Sequence, residues 1–397
     1  LASPLPGRPC RRSGELSRCS QQQGAAHVMS FDGLSNMHVL IVEDEADFIL
    51  ELQRILLAFP SPINIKVAKS RDSALALIDS EFFDLIILDL KIPTIDGALD
   101  AVPAYGNAVF SKARENAPGT PIFVLTGSSA EDFIPGLLAQ QQRENIWGDG
   151  REFGTVDFLK KYSFDEFPKK LNPITSAIQS LSEVELDRET LNLSIQEDRL
   201  IRIFARRFCG VRCVISPLKT GLSGATVVRL KLTDSSGASV IYAVAKLGSL
   251  GEIEDESLRY RSHVVRLDPV ATPRNLATLK FGAKASAGIF YSLAGGEDTA
   301  FDIVTRPEAF CTAAIRSLAS GTGRWFDGVP ETRLPIKDIR QRIQSDSALD
   351  RILTEFNIPW VHDFETRQIQ TRWCCIHGDL HGCNVLVTAN GSSILID

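Results

Sequence analysis

Asp84-Leu85-Ile86-Ile87-Leu88-Asp89-Leu90-Lys91-Ile92-Pro93-Thr94-Ile95-Asp96-Gly97 is the stretch on which the fold of the first part of this chain turns. Leu85 to Leu88 is an uninterrupted, strand-sized apolar run that ends in a carboxylate. Further strand-like runs lie at Val39 to Val42, Ile63 to Ala68, Ile122 to Leu125 and Val156 to Leu159. Between the first two, Asp47 to Leu57 repeats apolar residues at helical spacing, as the crossover between parallel strands requires. The alternation predicts an α/β fold across residues 37–170: a doubly wound, five-stranded parallel sheet.

Ligands of such sheets bind beyond the carboxyl ends of the strands. Those ends carry Glu43 and Asp44, Asp89, Thr126 and Lys161. Three carboxylates, a hydroxyl and an ammonium therefore converge on one edge. The carboxylates suit a hard divalent cation such as Mg2+, which prefers oxygen ligands. Asp89 is the natural nucleophile for a phosphoryl group, with the metal and Lys161 neutralising charge on the transferring oxygens and Thr126 hydrogen-bonding the attached group.

At these residues the segment resembles the response-regulator receiver domain of two-component signalling. The matching stretches are Val39-Leu40-Ile41-Val42-Glu43-Asp44-Glu45, the Asp84 to Gly97 run, Val124-Leu125-Thr126-Gly127 and Asp157-Phe158-Leu159-Lys160-Lys161. The resemblance implies a flavodoxin-like fold with Glu43 and Asp44 as the acid pair, Asp89 as phosphoacceptor, Thr126 as switch hydroxyl and Lys161 as the family lysine. It further implies the Lys91 backbone carbonyl as a metal ligand, Phe158 as the aromatic switch, and a sensor histidine kinase or phosphotransfer protein as partner. Tyr162 stands where the family has proline, and the stretches 101–116 and 130–151 are longer than usual.

The chain has 397 residues, enough for two or three domains, with 44% hydrophobic and 23% charged residues. A net charge of -6 supplies no basic footprint for nucleic acid or an anionic membrane, and no helix-turn-helix signal is present. No apolar run approaches the roughly 18 residues a spanning helix needs. Residues 1–36 are expected to be a disordered tail. Eight cysteines dispersed along a chain without a secretion signal favour reduced thiols and a cytoplasmic location. Cys209 and Cys213, four apart on an expected helix, form at most half of a metal site.

Residues 171–199, richer in polar groups, are expected to hold the receiver's last helix and a connector, and residues 200–397 a second domain. Within it, Gly221, Ser223 and Gly224 form a turn between expected strands, which suits either phosphate contact by backbone amides or an ordinary hairpin. Val240 to Lys246 predicts a strand ending in a lysine able to clamp phosphates. The acidic helix that follows offers Glu256 as its carboxylate partner.

Ile376-His377-Gly378-Asp379-Leu380-His381-Gly382-Cys383-Asn384-Val385-Leu386-Val387, followed by Ile394-Leu395-Ile396-Asp397, resembles the catalytic loop and metal-binding aspartate of the aminoglycoside and choline phosphotransferase family. That resemblance implies an α+β protein-kinase-like fold whose C-lobe is incomplete at Asp397. It also implies ATP and Mg2+ as cofactors, Asp379 positioning a hydroxyl acceptor, and Asn384 and Asp397 as metal ligands. The combined expectation is a response regulator that controls a kinase-like phosphotransferase, with phosphorylation-dependent dimerisation open to it. The alternative is a phosphorylation-dependent adaptor whose second domain recruits a protein partner.

Overall fold

The central strand of the first sheet is completely buried, which is why its sequence is continuously apolar instead of alternating. A computed structural model of the chain describes residues 37–127, 134–138, 142–188, 191–218, 225–295, 298–343, 347–356, 358–372 and 374–396. The expected tail at 1–36, the Gly221, Ser223 and Gly224 turn, and Asp397 lie outside the described residues.

The first part runs β1 (Met37–Val42), α1 (Ala46–Leu57), β2 (Ile63–Ala68), α2 (Arg71–Ser80), β3 (Leu85–Asp89), α3 (Pro103–Asn116), β4 (Ile122–Thr126) and α4 (Ile134–Leu138). A short hairpin of β5 (Arg143–Glu144) and β6 (Phe153–Gly154) then precedes β7 (Val156–Lys160) and α5 (Phe167–Ser182). Five of these strands form one sheet in the order β2-β1-β3-β4-β7, and every pairing in it is parallel. This is the five-stranded parallel sheet predicted from the apolar runs, in the flavodoxin-like order that the receiver resemblance implies. One sheet face buries Leu40, Val42, Ile86 and Leu88 against α2 and α3. The other buries Val39, Ile41, Leu85, Ile87 and Phe123 against α1 and α5. Where α3 crosses β3, a Cβ on Gly106 would lie 2.3 Å from the Leu90 Cα, so glycine permits the contact.

The second part begins without a break. β8 (Glu185–Asp187) follows α5 almost directly and pairs parallel with β9 (Arg212–Pro217). Between them, α6 (Ile195–Arg207) is capped by a reciprocal Ser194 and Glu197 box. β10 (Thr226–Thr233), β11 (Ser239–Ser249), α7 (Leu250–Ser262), β12 (Asn275–Leu279) and β13 (Ser286–Ser292) follow, giving a six-stranded sheet in the order β12-β13-β11-β10-β9-β8. The stretch 171–199, expected to hold the receiver's last helix and a connector, holds most of α5, all of β8 and the first turn of α6.

Five of the six residues from Leu200 to Ala205 on α6 are buried apolar groups, too many for a helix packed on one side only. α6 is wedged between α5 and the second sheet, where the Phe204 ring stacks on Phe290 at 4.1 Å. The turn before β13 reaches the first sheet's lower edge: the Gly282 N–H donates to the Gly119 carbonyl at 2.9 Å. Lys284 Nζ donates to the carbonyls of Asp79 and Glu81, both at 3.0 Å, at the end of α2.

The expected helix carrying Cys209 and Cys213 is not present. α6 ends at Arg207, Cys209 takes a left-handed φ of 57°, and Cys213 is buried in β9, where burial pushes its thiol up to about 12. Neither geometry nor ionisation suits a thiolate ligand.

The last part contains β14 (Asp298–Thr299), α8 (Glu308–Thr322), β15 (Glu331–Pro335), α9 (Ile336–Ile343), α10 (Ser347–Phe356), α11 (Pro359–Glu365), β16 (Gln368–Arg372), β17 (Val385–Val387) and β18 (Ser393–Leu395). β14, β17 and β18 form a three-stranded sheet against α8, and β15 pairs with β16. No helix among the described residues is long and apolar enough to cross a membrane.

Candidate functional site

The carboxyl ends of β1 and β3 place Glu43, Asp44 and Asp89 together, with one oxygen from each lying within 4.8 Å of the others. Glu43 and Asp89 are buried and Asp44 is half-buried. The Lys161 ammonium, just past β7, enters from the side. It donates to Asp89 Oδ2 at 3.0 Å and lies 2.8 Å from Glu43 Oε2 and 3.7 Å from Glu45 Oε1. The same ammonium sits 4.7 Å from the centre of the Phe48 ring, a cation–π arrangement. The Lys91 N–H donates to Asp89 Oδ1 at 3.3 Å, which sets the Lys91 backbone beside the acceptor carboxylate.

The electrostatics follow from burial. Desolvation, reinforced by the Asp89 charge, pushes Glu43 up to about 7 despite Lys161. Burial also raises Asp89, against the pull of Lys161. Burial alone would lower Lys161, but Asp89 and Glu43 together outweigh it and push the ammonium up to about 12. Three carboxylates around one ammonium leave excess negative charge, and an all-oxygen donor set of this kind fits a hard divalent cation.

Thr126 ends β4, its backbone paired with Lys160, while its side chain lies outside the described residues. Phe158 is half-buried on β7 and packs against the core beside α2 and α3. Glu45 and Phe48, the additional neighbours of Lys161, were legible only as an acidic residue beside the pair and an apolar helix position. Asp96, in the loop after β3, is a further residue to which the sequence alone assigns no role. Its carboxylate accepts from Ser70 Oγ at 2.6 Å and Ser73 Oγ at 3.0 Å, tying the loop after β3 to the start of α2.

A second charged pair lies on the other sheet. Lys246 on β11 meets Glu256 on α7 at 2.8 Å, both largely shielded. β11 does not end at Lys246 but continues to Ser249, which caps α7. Asp379 lies in a separate loop with an exposed side chain. Its carbonyl accepts from Asn384 Nδ2 at 3.1 Å, and its carboxylate is 3.7 Å from His381 Nε2. The Ile396 N–H donates to the Asn384 carbonyl at 2.9 Å, so the end of β18 returns beside that loop.

The family described as response regulator receiver domain matches residues 39–142. The match stops where the β5–β6 hairpin begins, ahead of the fifth strand of the sheet. The transcriptional regulatory protein PmrA of Pectobacterium parmentieri is 28% identical over 165 residues, 41% of this chain, and the chain spans 63% of that relative's length. A CheY-like receiver domain protein from Methanospirillum hungatei JF-1 is 21% identical and covers 36% of this chain and 98% of its own, with a TM-score of 0.26. The receiver domain of sensor histidine kinase PA1611 from Pseudomonas aeruginosa PAO1, with a magnesium ion coordinated in its active-site cleft, is 16% identical. It covers 35% of this chain and 98% of its own, also with a TM-score of 0.26. Residues 39–142 of this chain are a response regulator receiver domain.

Proposed function

We propose that Asp89 accepts a phosphoryl group from a sensor histidine kinase or phosphotransfer protein, and that this modification controls a nucleotide-dependent, kinase-like second domain. The observation that carries the first half is the meeting of Glu43, Asp44 and Asp89 within 4.8 Å, with Lys161 3.0 Å from Asp89. Glu43, Asp44, Asp89 and the Lys91 carbonyl would hold Mg2+. When bound, that ion supplies charge neutralisation for the incoming phosphoryl oxygens. Asp89 Oδ2 faces Lys161, which remains protonated at any physiological pH and can follow the charge from carboxylate to phosphoryl. Phe48 and the buried strand ends keep the ammonium from swinging to solvent. Thr126, at the adjacent strand end, is the hydroxyl proposed to take up the new phosphoryl oxygen.

Support for the second half is the Lys246–Glu256 pair, which joins a strand to the helix behind it as a phosphate-clamping lysine requires, and the Asp379 to Asn384 loop followed by the β17–β18 hairpin. In this reading Lys246 contacts nucleotide phosphates, Gly221, Ser223 and Gly224 cover them, Asp379 orients a hydroxyl acceptor, and Asn384 with Asp397 holds a second Mg2+. The adaptor reading draws on a different observation: Ile376 and Leu380, which flank Asp379, are 66% and 52% exposed. Apolar side chains standing in solvent suit partner recruitment.

Phosphate transfer from acetyl phosphate with Mg2+, followed by intact mass, tests the first half: one added phosphoryl on wild type and none on Asp89→Asn is the expected result. For the second half, Asp379→Asn separates the readings, because it abolishes phosphoryl transfer by a kinase and spares recruitment by an adaptor.

A further inference from the structure

We propose that Tyr291 is a positioning residue for the Lys246–Glu256 pair: its hydroxyl holds the Glu256 carboxylate in the rotamer that presents one oxygen to Lys246. The inference rests on the nucleotide-binding reading of this pair and names the residue that fixes its geometry.

The two oxygens of Glu256 are divided between two partners. Oε2 lies 2.8 Å from Lys246 Nζ, and Oε1 accepts from the Tyr291 hydroxyl at 2.8 Å. The sheet register explains why these groups meet. In the antiparallel β11–β13 pair, Lys246 stands opposite Ile289 and Val244 opposite Tyr291. Directly opposed residues share a face, and so do residues two apart on one strand, so Lys246 and Tyr291 project from the same side of the sheet on a diagonal. α7 covers that side, with Ile253 buried against Ala287 and Ile289 and with Tyr291 packed on the same cluster. Glu256 lies three residues beyond Ile253, on the same helix face, and is delivered into the gap between lysine and tyrosine.

A glutamate side chain has three rotatable bonds, and an ammonium alone fixes only its distance. A second, directional hydrogen bond removes that freedom. The Tyr291 ring is itself held: Tyr260 lies 5.7 Å away, and the Tyr260 hydroxyl donates to the Pro273 carbonyl at 3.2 Å and accepts from the Asn275 N–H at 3.0 Å. The chain of contacts therefore runs from the β12 backbone through two tyrosines to a carboxylate and then to the lysine. A lysine that loses the Glu256 contact would lose the alignment that this carboxylate gives it.

Two measurements on the full chain test this. The first is calorimetric titration of Mg-ATP into wild type, Tyr291→Phe, Glu256→Gln and the double variant. Removing the hydroxyl is expected to weaken binding about fivefold to tenfold, the scale of one ordinary hydrogen bond, because Tyr291 reaches the nucleotide only through Glu256 and Lys246. The double variant is expected to bind no more weakly than Glu256→Gln alone, because Tyr291 acts only through that carboxylate. The second needs no nucleotide: the rate at which an amine-reactive ester labels Lys246, followed by peptide mass spectrometry. It is expected to rise several-fold in Tyr291→Phe and no further in the double variant, with the thermal midpoint of the folded protein unchanged. An unaltered labelling rate in Tyr291→Phe, or an additive double variant, overturns the assignment. Mg-ATP binding absent from wild type as well would instead sink the nucleotide reading, and the labelling rates would still decide the role of Tyr291.

Discussion

Arg199 on α6 reaches Asp84, at the foot of the strand that ends in Asp89, at 2.9 Å, and both side chains are almost fully buried. Asp84 also accepts from the His38 N–H at 2.8 Å, which ties β1 to the same carboxylate. A charge pair sealed from water in this way joins the receiver sheet to the second part of the molecule.

Breaking that pair should therefore cost more than a surface ion pair does. Arg199→Ala leaves a buried carboxylate without its cation, and a loss of about 3–5 kcal/mol is expected. Denaturant unfolding checks this. Because the apolar core runs from Val39 and Ile87 through Phe204 to Ala245 and Phe290, the receiver and the six-stranded sheet should lose structure in one transition by both near- and far-ultraviolet dichroism.

Gly106 offers a steric test close to the acid pocket. A Cβ there would fall 2.3 Å from the backbone of Leu90, the residue between Asp89 and Lys91. Gly106→Ala should destabilise the protein by about 1–3 kcal/mol, as overpacking does. It should also weaken Mg2+ binding, because the strain is relieved by moving the Asp89 to Lys91 backbone. Calorimetric Mg2+ titration beside a denaturation curve separates the two effects.

Glu43 gives the pH dependence. Its folded value of about 7 exceeds the ordinary 4.5, so the folded metal-free protein keeps a proton that the unfolded chain has lost. Stability from this group is complete below about pH 4.5 and is lost as pH rises through about 7. A bound divalent cation takes the proton's place. Mg2+ affinity should thus rise between pH 6 and 8 with release of about one proton, and saturating Mg2+ should flatten the stability slope in that window. Calorimetry in buffers of different ionisation heat measures the proton count.

Lys161 competes with a cation for the same oxygens, 2.8 Å from Glu43 and 3.0 Å from Asp89. Lys161→Met should tighten Mg2+ binding several-fold, since it removes a positive charge from the site. Acceptance of phosphate at Asp89 should persist, while any change in the second domain that depends on the phosphoryl should be lost. Parallel titration and mass measurements read both.

The inner strands of the receiver were legible because a parallel sheet buries both faces and so writes β1, β3 and β4 as short, unbroken apolar runs, whereas the edge strands β2 and β7 carry Asn64, Lys66 and Asp157 among their apolar residues. The acid pocket was legible for a related reason, since the charged residues that end such runs must gather at one edge. Cys209 and Cys213 were misread because helical spacing was carried past the end of α6. The signal available was Gly210, whose N–H returns to the Ala205 carbonyl at 2.8 Å as the helix closes. What no local pattern contains is pairing between distant segments. Asp84 with Arg199, Lys284 with the end of α2, and Tyr291 with Glu256 each join residues whose neighbours look ordinary. The continuation of β11 past Lys246 was hidden by Gly248, a poor strand residue held here between paired neighbours.

The central claim is that Asp89 takes up a phosphoryl group in the pocket formed with Glu43, Asp44 and Lys161. Incubation of the full chain with acetyl phosphate, with and without Mg2+, followed by intact and peptide mass spectrometry, tests it most directly. The predicted result is a single hydroxylamine-labile phosphoryl on Asp89 that requires Mg2+ and is absent from Asp89→Asn. A wild-type protein that stays unmodified with Mg2+, or a phosphoryl that persists in Asp89→Asn, would contradict it.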